Sequence, residues 1–391
     1  MQINLYNRHR IYLTSALMDL VYAFVVGAVA VYAVELGATA MQLGYIGSLG
    51  AALYALSCYL SGHLPDHLSR KKIVFWATLF SALSCLGLAN STVLSRIYLF
   101  FGSFNFALGF FWPNLQSLLA DSRHRRSLTA TLGNFCVFWS LGFTVGHYIC
   151  GYLTRISSTF PLGWSVALCF AILAVNLTLS DSEALKKMGS ADFLSRIDNK
   201  SRLLWSRFLI CGWLANFSVV FIVGSAKMLF PKLALDVDHL DRQTLGLMLA
   251  LIHAGQVLTF LVTKYWHGWQ YNRRTFLLTQ FLTLPGAGLL ALTSNSFCYA
   301  AGMFLIGSSY GFTYSASIYY STSRPPEFKT RTGIHEAFIG LGILFGPLIG
   351  GFVSLLWNLH APYFFGLLLL VATIGIQAMI LYRPLKESAT N

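Results

Sequence analysis

The sequence predicts an all-α membrane protein with twelve transmembrane helices in two pseudo-symmetric six-helix bundles. Three observations support this prediction: the composition, a series of twelve apolar segments, and a glycine pattern that occurs twice. Of the 391 residues, 56% are hydrophobic and only 10% are charged, whereas a soluble domain carries about 25% charged residues. A surface with so few charges is suited to lipid rather than to water.

Twelve segments are long and apolar enough to cross a bilayer, which takes about 20 residues. They are numbered as spans 1 to 12 and cover residues 11–35, 41–62, 73–92, 97–119, 128–153, 162–180, 208–231, 244–263, 275–293, 297–320, 332–356 and 361–382. Span 1 is longer than the apolar core of a signal peptide, which has about 7–15 residues. It also contains Asp19, so we interpret it as a retained helix.

Positive charge alternates between the joints of these spans. Of the 27 Lys and Arg residues, 22 lie on the face that holds both termini and 4 on the opposite face, while Lys227 lies inside span 7. Cytoplasmic loops carry such an excess of Lys and Arg. The pattern therefore predicts that both termini are cytoplasmic. The net charge of +13 is then expected to face anionic lipid headgroups rather than nucleic acid.

The longest polar stretch separates spans 1–6 from spans 7–12. It predicts an N-terminal bundle over residues 1–180, a cytoplasmic linker over 181–203 and a C-terminal bundle over 204–391. The linker is interpreted either as a helix on the membrane surface or as a solvated tether. Neither the linker nor the tail is long enough for an added sensor domain.

Motifs of enzymes and metal sites are absent from the sequence. It has no phosphate loop, no H-E-x-x-H and no exposed nucleophile elbow. All seven cysteines lie in apolar segments without a C-x-x-C pair, which favours buried packing thiols. We therefore expect a protein that is not an enzyme and that has no metal and no cofactor.

One glycine pattern occurs twice, 200 residues apart, each time inside an apolar segment. Small residues at such spacings let helix backbones approach closely in lipid. Internal repeats of this size are common in secondary transporters. The pattern therefore predicts two homologous halves. The matched glycines are Gly133, Gly142, Gly146 and Gly151 in span 5, and Gly333, Gly342, Gly346 and Gly351 in span 11.

The joint between spans 2 and 3 carries a charged signature. It fits the pattern Gly-x-Leu-x-Asp-x-x-x-Arg-[Lys/Arg] at Gly62, Leu64, Asp66, Arg70 and Lys71. This resembles the signature loop of the major facilitator superfamily, and the doubled glycine pattern is similar to a second motif of that family. The resemblance implies alternating access, in which two bundles rock about a central site. The expected conformational gate comprises Gly62, Asp66, Arg70 and Lys71 of the loop, and Gly142, Gly146, Gly342, Gly346 and Pro347 of the glycine pattern.

The sequence also departs from the family's patterns. In span 5, His147 stands where the family motif has Pro, and Cys150 stands where it has Gly. The span-5 motif tends to accompany export by antiport, so these departures leave the direction of transport open. In span 4, Tyr98 stands four residues before Gly102, where proton-coupled members of the family often have Arg.

Ionisable residues inside spans are expected to have a role or a partner, because insertion of Asp or Lys at a helix centre costs about 2.5–3.5 kcal/mol. Asp19 and Glu336 are candidates for proton coupling, and the alternatives are helix packing for Asp19 and gate closure for Glu336. Lys227 is a candidate for binding an anionic group or pairing with Asp19, and the alternative is snorkelling to the membrane surface. His147 and His253 are interpreted as packing residues.

Polar and aromatic residues on single helix faces are candidates for substrate binding. In the resembled family, spans 1, 4, 7 and 10 line the central path, and aromatic walls with a few amide and hydroxyl groups suit a ring-containing or amphipathic solute. The alternative is hydrogen bonding between helices. The candidates are Tyr22, Asn105, Trp112, Gln116, Asn216, Lys227, Tyr310, Tyr314 and Ser317.

The predicted function is secondary transport of a small organic molecule, coupled to protons through Asp19, with export favoured. One alternative is a uniporter or symporter of a polar metabolite such as a sugar or an organic anion, in which Lys227 would matter more. Another is a membrane sensor or scaffold that moves no solute. The expected partners are the substrate, protons and lipid, in a monomer of the bacterial inner membrane.

Overall fold

A computed structural model describes residues 2–65, 68–121, 128–180, 199–323 and 328–384. The described chain forms twelve long helices, two of which, α1 and α7, extend well beyond the predicted spans. They are α1 (Gln2–Glu35), α2 (Ala40–Gly62), α3 (Arg70–Ala89), α4 (Leu94–Asp121), α5 (Leu128–Thr154), α6 (Phe160–Leu177), α7 (Asn199–Lys232), α8 (Arg242–Tyr265), α9 (Arg273–Leu292), α10 (Ser296–Thr322), α11 (Phe328–Leu356) and α12 (Ala361–Tyr382).

These helices confirm the twelve predicted spans. Within the described residues, eleven helices are long and apolar enough to cross a membrane. The twelfth helix, α10, has 27 residues, and its many Ser, Thr and Tyr side chains make it polar. Helix α9 consists of two segments joined at Leu282. The break follows from Pro285, which has no N–H to bond the carbonyl of Phe281.

The extensions of α1 and α7 beyond the apolar core are tied to the end of the last helix of their own half. Asn7 of α1 bonds the backbone of Ser180, and Arg10 donates to the carbonyl of Thr178. Arg207 of α7 donates to the carbonyls of Arg383 and Pro384. Most of the predicted linker lies outside the described residues, and α7 already begins at Asn199 inside it.

The repeat predicted from the glycine pattern is visible in the packing within each half. A Cβ at Gly142 of α5 would overlap the carbonyl of Ala16 in α1. A Cβ at Gly346 of α11 would overlap the carbonyl of Phe221 in α7. The α1–α5 contact is therefore repeated as the α7–α11 contact, and both depend on backbone contact that only glycine permits.

The two halves meet through a second pair of equivalent contacts. Helix α5 packs on α8, and α11 packs on α2. A Cβ at Gly151 of α5 would lie 2.7 Å from the Cα of Gly246 in α8. A Cβ at Gly351 of α11 would lie 3.3 Å from the Cα of Gly44 in α2. These glycines lie toward the membrane face opposite the termini, which we call the far face.

The far face is also closed by side chains. Arg242 at the start of α8 forms an ion pair with Glu35 at the end of α1, and it donates to the carbonyl of Thr154 at 2.6 Å. Arg155 donates to Gln243 at 2.8 Å. We call this group the far-face latch, because each contact joins the two bundles.

The helix that carries Arg242 is fixed by its N-cap. Asp241 accepts hydrogen bonds from the backbone N–H groups of Gln243 and Thr244. The additional bond from the Thr244 hydroxyl, at 2.5 Å, holds the pKa of Asp241 below its usual value. An ionised N-cap also interacts favourably with the helix dipole.

The predicted gate residues have different environments. Asp66 lies outside the described residues. Among the described residues, no atom lies within 4 Å of a Cβ added at Gly62, so no helix packs closely against it in this arrangement. Lys71 donates to the carbonyl of Leu177 at 2.8 Å, inside its own bundle. Arg70 begins α3, with Ser69 as its N-cap.

The predicted gate residues that belong to the glycine pattern also have different environments. Gly142 and Gly146 of α5 pack on α1, and Gly342 and Gly346 of α11 pack on α7, in each case within one half. Only Pro347 touches the other bundle, where its carbonyl lies 2.6 Å from a Cβ built on Gly44. The close contacts between the bundles are therefore those of Pro347 and Gly351 with α2, and of Gly151 with α8.

We predict that Gly142→Ala and Gly346→Ala each lower the apparent unfolding temperature in detergent. The added methyl has to displace a helix backbone, and overpacking costs about 1–3 kcal/mol. Gly333→Ala in α11 is the matched control, since nothing lies within 4 Å of its Cβ position. Equal unfolding temperatures for all three variants would contradict the backbone contact.

We predict that the double variant Arg155→Cys/Gln243→Cys is joined by a short bifunctional thiol-reactive cross-linker, because the long side chains of Arg155 and Gln243 are in hydrogen-bond contact across the bundles. A protease site inserted into segment 181–198 would separate the halves on a gel unless they are linked. The two single variants are the controls for the native thiols. Complete separation of the cross-linked double variant would show that the far face is not closed as described.

Candidate functional site

A cluster of aromatic rings lies between the bundles, around Tyr314 of α10. The ring centroid of Tyr314 is 5.5 Å from that of Trp139, 5.7 Å from that of Phe260 and 5.1 Å from that of His335. These rings come from α5, α8 and α11, so the cluster is built from both halves. Tyr310 stands one turn along α10, at 6.2 Å from Tyr314.

Asp19 and Lys227 face each other across the bundle interface. Asp19 of α1 is buried, with 3% of its surface exposed, and it interacts electrostatically with Lys227 of α7. Among the described residues, neither side chain has a hydrogen bond or an ion pair within 4 Å. The pairing of Lys227 with Asp19 therefore acts at longer range, without direct contact.

Aromatic rings hold the ammonium of Lys227 inside the protein. Its Nζ lies 4.1 Å from the ring centroid of Phe143 and 5.9 Å from that of Tyr22. Cation–π contacts of this kind are worth about 0.5–2 kcal/mol. The side chain thus points toward α1 and α5, and the snorkelling alternative does not describe it.

Two histidines that are 106 positions apart in the sequence stack on each other at the α5–α8 contact. The rings of His147 and His253 lie 5.3 Å apart at 18°, and His253 also stacks on Phe143 at 4.3 Å and 10°. Nδ1 of His147 bonds the carbonyl of Phe143, and Nδ1 of His253 bonds Gln256. Both Nε2 atoms are buried and have no partner.

Glu336 lies closer to the terminus face than the Asp19–Lys227 pair. Gln116 of α4 is near enough to interact with its carboxylate. The hydroxyl groups of Tyr54 and Tyr310 also interact electrostatically with the Glu336 carboxylate. Because Gln116 and Tyr54 belong to the N-terminal half, Glu336 interacts across the bundle interface, and its role in gate closure or proton coupling stays a prediction.

The remaining candidates for substrate binding lie at different places relative to the Asp19–Lys227 pair. Tyr22 donates weakly to Asn105 at 3.4 Å, and both lie beside the Asp19–Lys227 pair. Trp112 packs at 6.3 Å on Phe135, away from that pair. Ser317 bonds Nδ1 of His335 at 2.7 Å, so it links α10 to α11.

Asn216 of α7 is fully buried, and neither its amide nitrogen nor its oxygen has a hydrogen-bond partner. It stands one turn from Gly212, which packs directly on the backbone of Ser317. An unpaired buried amide is unfavourable by about 1–3 kcal/mol. Asn216 therefore remains a candidate for contact with a bound molecule.

Five residues of this site were not predicted from the sequence to be part of it. Phe143, Trp139 and Phe260 occur in ordinary apolar stretches, where nothing marks a ring that faces inward. His147 and His253 were treated as separate packing residues because their proximity depends on how α5 packs on α8. The available signal was that His147 replaces the expected Pro at a bundle contact.

Two helical bundles around a charged, aromatic interface define a membrane transporter of the alternating-access class. A family model described as Major Facilitator Superfamily matches residues 11–332 and, in an overlapping second match, residues 239–391. The chain belongs to this family. It is a multi-pass membrane transporter and not an enzyme, which confirms the resemblance and the fold predicted from the sequence.

Relatives and a solved structure agree with this assignment. The chain is 23% identical over 364 residues to "Multidrug resistance protein 1" of Bacillus subtilis (strain 168), covering 89% of each chain. It is 21% identical over 344 residues to "Sugar efflux transporter B" of Salmonella typhimurium (strain LT2), covering 83% of this chain and 82% of the relative.

The crystal structure of the nucleoside transporter NupG superposes with a TM-score of 0.74 at 11% identity, covering 97% of this chain and all of the other. At that identity, the likeness shows the fold alone.

We predict that Lys227→Met and Asp19→Asn each lower the apparent unfolding temperature, while the double variant loses less than the sum of the two. Each single change leaves the other group without its counter-charge, and such pairs couple by about 0.5–3 kcal/mol. The control is Asp19→Asn with Lys232→Met, since Lys232 pairs with Asp236 at the end of the same helix. Additive losses in both double variants would contradict the coupling.

Proposed function

We propose that this protein is a secondary active transporter of a small organic molecule, coupled to protons through Asp19, with export favoured. The observation that carries the proposal is a buried carboxyl group between the bundles, within electrostatic range of Lys227 from the other half. Such a group inside a span is unfavourable unless it is neutralised by a proton or by a counter-charge.

Coupling follows from the fact that Asp19 and Lys227 belong to different bundles. When the bundles rock, the distance between the two charges changes, and with it the affinity of Asp19 for a proton. A ligand that favours one arrangement then changes proton binding, and the reverse also holds. Glu336 is a second proton-binding candidate, because it too interacts across the interface.

The orientation is proposed from charge. With 22 of the 27 Lys and Arg residues on the terminus face, that face is assigned to the cytoplasm. The far-face latch then lies on the outer side, and the loop with Asp66 and Arg70 is proposed to close the cytoplasmic side. We propose a monomer in a bacterial inner membrane, with bundles over residues 1–180 and 204–391.

Export is favoured by the names of two relatives that match most of this chain, a multidrug resistance protein and a sugar efflux transporter. A second candidate is proton symport or uniport of a polar metabolite such as a sugar or an organic anion. The inward-facing ammonium of Lys227 favours this candidate, because a fixed positive charge attracts an anionic group. The two candidates differ in whether protons and substrate move in opposite directions.

The proposal is tested in inside-out vesicles that hold a respiration-driven proton gradient, read with a pH-sensitive dye. Organic cations, neutral aromatic compounds, sugars and organic acids are added in turn. We expect at least one class to move protons with the intact protein but not with Asp19→Asn. Discharge of the gradient identifies antiport, and further acidification of the lumen identifies symport.

The matched control is Asp236→Asn, which removes a carboxyl group that pairs with Lys232 outside the site. It should leave proton movement unchanged. If labelled solutes cross the membrane equally with the intact protein and with Asp19→Asn, and no protons move, proton coupling through Asp19 is excluded. Uniport would then be the remaining mode.

A further inference from the structure

The ammonium of Lys227 has an unused capacity to donate hydrogen bonds. It carries three N–H donors, and among the described residues none of them has an acceptor. Its neighbours are the faces of the Phe143 and Tyr22 rings, which balance the charge only partly. Lys227 is also only partly buried.

We propose that Lys227 is the receptor for an anionic group of the substrate, and that the substrate is an aromatic carboxylate or a compound of similar chemistry. This inference rests on the transporter of the proposed function and favours its second candidate, the symporter, because it names the substrate class of the same site. A carboxylate would accept from the Lys227 ammonium as a charge-assisted hydrogen bond. The rings around Lys227 and Tyr314 would contact the apolar body of the substrate.

Further polar atoms near Lys227 are also unpaired. The amide nitrogen of Gln256 is buried without a partner, and its oxygen is occupied by His253. Nδ1 of His147 must carry a hydrogen, since the carbonyl of Phe143 can only accept. Nε2 of His147 is therefore the acceptor nitrogen of the neutral ring, and it is buried without a partner.

The charges that face this region from each helix favour an anion over a cation. Lys227 of α7 is the basic side chain of this group, and His147 of α5 and His253 of α8 contribute imidazole rings that carry no negative charge. Asp19 of α1 is negative only when it has lost its proton, and Glu336 lies nearer to the terminus face. A cationic ligand at Asp19 would have to remain within range of Lys227, whereas an anion is attracted by it.

The proposed contact also determines the direction of coupling. A carboxylate that pairs with Lys227 neutralises the positive charge that otherwise stabilises the ionised form of Asp19. Asp19 then binds a proton more tightly. Anion and proton therefore bind together, and each raises the affinity for the other. The two would cross the membrane in the same direction, so an anionic substrate selects symport, whereas a cation competing at Asp19 would give antiport.

The experiment compares ligands that differ only in charge. Purified protein in lipid nanodiscs is titrated with benzoate, benzamide and benzylamine, and with the corresponding acetate, acetamide and ethylamine derivatives of indole and naphthalene. Affinity is measured by calorimetry or by the shift of the unfolding temperature. We expect the carboxylate to bind at least about tenfold more tightly than its amide in at least one set, since tenfold corresponds to about 1.4 kcal/mol.

Lys227→Gln should remove this preference, so that carboxylate and amide bind equally. Lys232→Gln is the matched control, because this second lysine of α7 is already paired with Asp236. It should keep the preference. Lys227→Arg keeps the positive charge and should retain part of the carboxylate preference. This variant distinguishes loss of charge from loss of folding.

Each outcome decides the inference without depending on proton coupling. If no set shows a carboxylate preference, or if the amines bind most tightly, the inference is wrong, although proton transport through Asp19 can still hold. If the carboxylate preference depends on Lys227 but Asp19→Asn moves protons as the intact protein does, the inference holds and the proposed coupling is wrong.

Discussion

The structure depends on direct contact between helix backbones at glycine positions. In lipid, apolar side chains gain nothing from leaving the solvent, so helices associate through close packing and polar contacts. Gly142 and Gly146 of α5 receive the carbonyls of Ala16 and Leu20 in α1. Asp19 lies between these two contacts in the sequence. The glycine packing therefore fixes the depth and the rotation of the helix face that carries the central carboxyl group.

The repeat provides a symmetric frame, and the charged groups lie where the symmetry is broken. The backbone contacts pair Ala16 with Phe217 and Leu20 with Phe221, an offset of 201 positions. At the same offset, Asp19 corresponds to Val220 and Lys227 to Val26. His147 corresponds to Pro347 in the doubled pattern. Asp19, Lys227 and His147 thus each stand where the other half has an apolar residue or proline, so the repeated packing itself does not require them.

The sequence was sufficient to predict the helices and the repeat, because apolar length and glycine spacing are local properties. It was also sufficient to single out Asp19 and Lys227, since an ionisable residue in a span is rare. The sequence could not predict the stacking of His147 on His253, because this contact depends on how two helices of different halves pack. The division of the glycines between packing within and between bundles was missed for the same reason. Helix α10 shows the limit of composition: its hydroxyl groups bond its own backbone and neighbouring helices, as with Ser309 and Ser317.

The closure at the far face and the charge pair at the centre are suited to different tasks. The side chains of Glu35 and Arg242 are each 31% exposed, and such ion pairs contribute about 0–1 kcal/mol. A latch of this strength shifts the balance between two arrangements without locking either one, as interconversion requires. The pair Asp19 and Lys227 is buried, so a change in its protonation or in its counter-ion has a larger effect on the same balance. The centre can therefore control the far face, because the contacts it has to break there are weak.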